Sequence, residues 1–354
     1  MKQHNILASL IAVIVSATTL ILPATLFAND STARLGAGGI EFLQNEHIRM
    51  IEEVLEISAD NVRVKYRFLN ESDQDIQTTV AFPLPFFDGL SHANTSIGDP
   101  RITAKTFTVL VNGAPVPTST LWKAVTDGRD ITDELRKLGF SDKEIFFDVP
   151  GEEWKALEQK IGRFGSKLFY WWGIDQTIYW QMIFPAKKET VVEHEYVPAS
   201  GRGYAIVGAG ESKKDFQEYL NKLWDSFTGK GEERRYEDCL DDMTKRGIEN
   251  RVKQAVFRGA ESVSVEYTTV EYILGTGRNW KGPIREFTLR LVKEDPDEFV
   301  SVCFRGKPKK IGPRVYEFHQ KDFVPPDKLL VYFYIVNPSG VVGSSRGRSL
   351  SRER

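Results

Sequence analysis

The chain has 354 residues, 47 basic against 49 acidic side chains, and a formal net charge of −2. That balance argues against nucleic-acid binding, which rests on a basic surface. Two cysteines with no CxxC pair and no histidine cluster make a poor zinc site, and the length calls for one large or two smaller domains.

In chain order, residues 1–28 come first: a positive Lys2, an apolar run from Ile6 to Leu22, a helix-breaking Pro23 and a small Ala28. That is the order of a secretory signal peptide cleaved between Ala28 and Asn29. An uncleaved membrane anchor is the competing reading, because the run approaches the roughly 20 residues that span a bilayer. No later stretch is long and apolar enough to span, so the cleaved chain is expected to be soluble, in the periplasm or secreted.

Period-2 alternation dominates the chain beyond the leader. "VRVKYRF" puts Val62, Val64, Tyr66 and Phe68 on one face and Arg63, Lys65 and Arg67 on the other, the pattern of a half-buried strand in an antiparallel sheet. "EFTLRLVK" repeats it with Phe287, Leu289 and Leu291. Further strands are expected at 49–57, 78–82, 102–111, 177–184, 189–196, 262–274, 299–304, 314–319 and 328–336. Asn112-Gly113 in "TVLVNGAPV" is the pair a type I′ hairpin turn accepts. "AFPLP" and "IFPAK" each end a strand at Phe-Pro, since proline has no N–H for the ladder.

Helical signals are grouped rather than alternating with strands. Asp130 can cap "ITDELRKLG", "PGEEWKALEQKIG" has an acidic first turn, and Ser212 can cap "KKDFQEYLNKLWDSF". The fold class expected is mainly β, antiparallel and sandwich-like. Its division is an N-terminal domain 29–205 with a helical insertion 119–168, a helical connector 206–260, a C-terminal β region 261–338 and an unstructured basic tail 339–354 with four arginines.

Residues 167–184 hold seven aromatic side chains. In "TIYWQMIF", Ile178, Trp180, Met182 and Phe184 share one face and read as core. In "FYWWG", four consecutive rings cannot all point inward and Gly173 interrupts the element. Tyr170, Trp171 and Trp172 are therefore the candidate binding residues, with core packing or docking against the helical insertion as the alternative.

Cys239 and Cys303 form an even pair in the exported part and are expected to be a disulfide. Its loop of about 64 residues corresponds to roughly 4 kcal/mol in the chain-entropy picture. Beyond the leader the histidines are single: His47, His92, His194 and His319. "GSSRG" fits G-x-S-x-G around Ser345 but has no strand before it and no helix after it. "GAGG" at 36–39 and "GYAIVGAGESKK" at 203–214 do not complete a phosphate loop, and "EDCLDD" lacks the ligand order of a calcium loop. No metal or cofactor is expected.

Several blocks in order, "NDSTARLGAGGIEFLQNEHIRMIEEVLEIS", "VRVKYRFLNESDQDIQTTVAFPLP", "FPAKKETVVEHEYVPASG", "NWKGPIREFTLRLVK" and "VSVCFRGKPKKIGPRVYEFHQKDFVPPDKLLVYF", resemble the exported bacterial proteins grouped as domain-of-unknown-function family 4424. The resemblance runs from Asn29 to about Phe333 and implies a periplasmic or secreted protein of a Gram-negative bacterium. It supplies no reaction and no site residues. The layout of "YRFLNESDQDIQTTVAFPLP" and "FPAKKETVVEHEYVP" is also similar to the vault and inter-alpha-trypsin type of β-sandwich, an analogy of fold alone.

The expected function is a non-enzymatic binding or interaction module of the bacterial envelope, with an envelope protein or glycan as partner. One alternative is an envelope hydrolase assembled from separated residues with His194 or His319 as base. Another is a purely structural envelope component.

Overall fold

The computed structural model describes residues 30–36, 39–87, 100–146, 159–160, 172–208, 218, 220–221, 223–224 and 239–340. The leader and its cleavage site at Ala28 and Asn29, Ser212, His92, Tyr170, Trp171 and the tail from 341 onward lie outside the described residues.

The chain is mainly β, and its described residues form three sheets. The first runs β2 (Gly39–Phe42), β1 (Ser31–Gly36), β5 (Ile76–Pro83), β10 (Gly173–Phe184), β8 (Ser119–Thr126) and β9 (Arg129–Asp130). The second and largest runs β16 (Lys309–Lys310), β17 (Val315–Phe323), β14 (Ile284–Val292), β3 (Ile48–Ile57), β4 (Val62–Asn70), β11 (Glu189–Tyr196), β6 (Thr108–Val111) and β7 (Ala114–Pro115). The third runs β12 (Gly201–Gly208), β13 (Ser262–Ile273), β18 (Lys328–Ser339) and β15 (Phe299–Val302).

Alternation builds one shared core. The inner face of the eight-stranded sheet supplies Leu55, Val64, Tyr66, Phe68, Val192 and Phe287. The first sheet faces it with Val80, Phe82, Ile178, Trp180, Met182 and Phe184, and the third with Val270, Tyr272, Leu329, Val331 and Phe333. Two sheets thus dock on one, and the expected core residues of "TIYWQMIF" are all buried. The outer face of β4 carries Arg63, Lys65 and Arg67, each ion-paired to glutamates of β3 or β11.

Local signals act as the residues dictate. Asn112 and Gly113 take φ of 51° and 81° and turn β6 into β7. Pro83 ends β5, and β10 stops at Phe184 just before Pro185. The Asp130 carboxylate accepts from the Thr132 N–H at 3.0 Å, but the cap position of α2 (Thr132–Lys137) is Ile131, one residue later than expected and without a side-chain cap.

Several boundaries differ from the expected ones. The stretch 102–111 is not one strand: α1 (Pro100–Thr106) precedes β6, and Thr106 donates back to the Ile102 carbonyl. Proline at a first helical position lacks only an N–H that would have no partner anyway, so it favours the helix over the β-branched pattern. The start of the 119–168 insertion is a strand, because β8 pairs with β10 along Ser119–Val125 before α2 and α3 (Asp142–Phe146) begin. Gly173 opens β10 instead of interrupting it, and the ring of Phe86 lies where a side chain at 173 would be. Residues 206–208 belong to β12, so helix enters the connector later: the described residues between 218 and 224 are helical, with Leu220 and Leu223 buried, and α4 (Asp242–Phe257) follows. Its Ile248, Val252 and Val256 pack on Val263, Val265, Tyr332 and Tyr334 of the third sheet.

The N-terminal and C-terminal β regions share a sheet. β14 pairs with β3 in parallel, Glu286 opposite Glu52 through Leu291 opposite Ile57. Among the described residues all the other strand pairs are antiparallel, as expected.

Candidate functional site

The chemistry-bearing residues fall in three places. The first is inside the core. Alternation along β11 turns Thr190, Val192, His194 and Tyr196 inward. His194 Nε2 lies 2.9 Å from Asp30 Oδ1, and both side chains are wholly removed from solvent. The rings of Trp180 and Phe107 at 5.1 Å, Tyr66 at 5.5 Å and Phe82 at 5.6 Å surround the imidazole. The Asp30 carbonyl accepts from Trp280 Nε1 at 2.5 Å, and Asn279 Nδ2 donates to Ser31 Oγ at 2.9 Å.

Beside this pair the hydroxyls of Tyr66 and Tyr272 are 3.0 Å apart, and Glu53, opposite Tyr66 in the ladder, is buried. Burial raises the Asp30 carboxyl above its ordinary value, while the charge and hydrogen bond of His194 oppose that rise. Burial also pushes Tyr66 and Tyr272 well up, reinforced by their own proximity to carboxylates. No substrate reaches these atoms without the sheets separating. What the cluster does is join them: Asp30 leads into the first sheet, His194 and Tyr66 belong to the second, and Tyr272 belongs to the third.

The second place is exposed. Thr288 and His319 are ladder partners on β14 and β17. His319 Nδ1 is 3.3 Å from Thr288 Oγ1, and its Nε2 is 2.9 Å from Glu286 Oε2, while Lys321 approaches the same carboxylate at 3.4 Å. Hydroxyl, imidazole and carboxylate are the parts of a nucleophile, a base and its orienting acid. They stand as consecutive outward residues of two neighbouring strands, on a sheet face.

The third is the aromatic segment. Trp172 is half-buried; its Nε1 donates to the Ile145 carbonyl at 2.9 Å, and its ring meets Phe140 edge-on at 5.9 Å. The indole therefore docks on the α2–α3 region. Its neighbours Tyr170 and Trp171 lie outside the described residues.

Cys239 and Cys303 are bonded, with Cα atoms 4.5 Å apart. The bridge ties the start of α4 to the end of β15. There Ser301 Oγ donates to the Cys239 carbonyl, and Asp241 accepts from the Met243 and Thr244 N–H groups as the helix cap. Among the described residues no group of three or more His, Cys, Asp or Glu side chains is placed to hold a metal ion, and no helix is long and apolar enough to cross a membrane.

Sequence reasoning singled out His194 and His319 but missed Asp30, Glu53 and the tyrosine pair. Glu53 is inward because a bulge between Met50 and Glu52 resets the alternation of β3. The adjacent acids of "MIEEV" were the available signal, since strict alternation would have put Glu53 outside.

No curated protein matches the sequence. Among solved structures, one from Legionella pneumophila, provisionally described as a nutrient-binding protein, aligns at 15% identity and TM-score 0.42, over 87% of this chain and 70% of its own. Yeast LTA4 hydrolase aligns at 8% identity and TM-score 0.29, over 81% of this chain and 29% of its own. The sequence signature that covers most of the chain, residues 28–332, is that of a domain of unknown function, and this protein belongs to that family, DUF4424.

Proposed function

We propose that the protein is exported to the bacterial envelope and works there by binding a protein or glycan, not by catalysis. The observation that carries this reading is the fate of the two histidine constellations. One is sealed in the core, where its pairing joins sheets, and the other lies on a sheet face alongside ordinary cross-strand ion pairs. Export is supported by the leader-like order of residues 1–28 and by the Cys239–Cys303 bridge, which suits an oxidising compartment.

The experiment is cell fractionation with N-terminal sequencing, followed by cross-linking in living cells, comparing wild type with Trp171→Ala/Trp172→Ala. A periplasmic or secreted chain starting at Asn29, with one discrete partner lost in the double variant, is the expected outcome. A chain that retains Met1 in the cytoplasm overturns export. A partner indifferent to the substitutions moves the binding face away from the aromatic segment.

A second reading, an envelope hydrolase, is favoured by the Thr288–His319–Glu286 line. Ester and amide hydrolysis abolished by His319→Ala, with unfolding unchanged, would establish it; absence of such hydrolysis in the wild type removes it.

A further inference from the structure

Between Cys303 and Glu317 the sequence "FRGKPKKIGPRVY" holds five cations, Arg305, Lys307, Lys309, Lys310 and Arg314, and no acid. In a chain of net charge −2 this is a local reversal of sign. The structure folds the segment into the edge hairpin of the eight-stranded sheet, β16 returning into β17. All five cations are exposed, and none forms an ion pair among the described residues, in contrast to the paired cations of β4. At the turn, Ile311 is 45% exposed, followed by Gly312 and Pro313.

The acids around the hairpin are largely committed elsewhere. Glu317, opposite Lys309, is held by Arg290 at 2.9 Å. The loop from Lys293 to Glu298 adjoins the hairpin, since the Lys293 N–H donates to the Arg314 carbonyl. Of its acids, Asp297 pairs with Arg251 and Glu298 is buried, which leaves half-buried Glu294 and Asp295 against five cations. Lys293 itself is buried on two carbonyls, and after burial the nearby Lys310 charge is the next influence holding its pKa down.

Lysines on an edge strand also discourage sheet-to-sheet pairing. That role accounts for Lys309 and Lys310, but it does not call for an exposed isoleucine at the tip with further cations on both sides. Clustered cations around a projecting apolar side chain are the chemistry of an anionic bilayer surface, where charge draws the segment in and the apolar tip enters the headgroup boundary. We propose that the β16–β17 hairpin docks on anionic phospholipid, a role that does not depend on that of the Tyr170–Trp172 segment.

The test uses the chain from Asn29 to Arg354, which keeps every described residue. It is co-sedimented with vesicles of phosphatidylglycerol and phosphatidylcholine in equal parts, and with phosphatidylcholine alone. Binding to the anionic vesicles only, weakening steeply with salt, is expected. Each neutralised cation should cost roughly fivefold in affinity, so Lys307→Gln/Lys309→Gln/Lys310→Gln should lose about 100-fold. Ile311→Ser should weaken binding and leave its salt dependence unchanged. All these side chains are exposed, so unfolding midpoints should match wild type and losses can be assigned to the surface. Equal binding to both vesicle types or to neither overturns the proposal. So does a loss seen only when Arg346, Arg348, Arg352 and Arg354 are replaced by Ser, which would assign the charge effect to the tail. Retention on heparin without vesicle binding would make the partner an anionic glycan and would also overturn it.

Discussion

At the scale of single residues, the molecule keeps its titratable groups in two very different settings. Asp30 and His194 are buried together, and removing one partner of such a pair takes away a hydrogen bond that water cannot replace in a low-dielectric interior. Asp30→Asn or His194→Gln is therefore expected to cost about 3–5 kcal/mol in urea unfolding, with the double variant well short of the sum of the two. Additive losses would mean that the pair is not coupled. Glu71 is the surface counterpart. It accepts from Arg49 at 2.8 Å, approaches Lys281 at 2.6 Å and has Arg285 at 4.0 Å. The hydrogen bonds from Arg49 and Lys281 hold its pKa down at about 2. A carboxyl lowered on folding stabilises above its unfolded value, and that contribution fades as the pH falls through the folded one. The stability gap between wild type and Glu71→Gln should thus be largest at neutral pH and shrink from about pH 4.5 down to about pH 2. A gap that is flat across this window would remove the three-cation account.

At the scale of elements, the disulfide and the α4 cap work at one spot. Cys239→Ser/Cys303→Ser is expected to lower stability by about 2–5 kcal/mol, and Asp241→Ala by about 1 kcal/mol through loss of the cap. Hydrogen exchange should show the loosening first in the opening turns of α4; protection unchanged there in both variants would contradict the placement. The elements were legible where one pattern ruled. β4, β11 and β14 follow alternation almost residue for residue, and the Asn112-Gly113 turn is read from its pair alone. Residues 102–106 and 119–126 were not legible, because short mixed segments satisfy both periods and only their neighbours choose. β8 is a strand because the edge of β10 is there to pair with it. The bulge in β3 is of the same kind: it depends on how β3 meets β4, and it alone turns Glu53 inward.

For the whole molecule, the parallel β3–β14 pair matters most. It places strands from both ends of the chain side by side in one sheet, over a core fed by all three sheets. Unfolding should accordingly be one transition, with far-ultraviolet and near-ultraviolet circular dichroism falling together in denaturant. A fragment ending at residue 205 should not fold, since it exposes β3 as an open edge and lacks Tyr272 and the third sheet. Two separated transitions, or a folded fragment, would instead show that the N-terminal and C-terminal regions fold independently.

The sequence by itself determined the β class, most strands, the family resemblance and the pairing of Cys239 with Cys303. All of these are carried by residue type and short-range period, which chain neighbours decide. Tertiary structure alone decided that Asp30 reaches His194 across 164 positions, that Tyr66 meets Tyr272, and that the two β regions share a sheet. It also placed the five cations of the "RGKPKKIGPR" segment on an exposed edge with few free acids near them. These depend on which faces stack and which edges remain open, and alternation says only that a side chain points inward, never what it meets there.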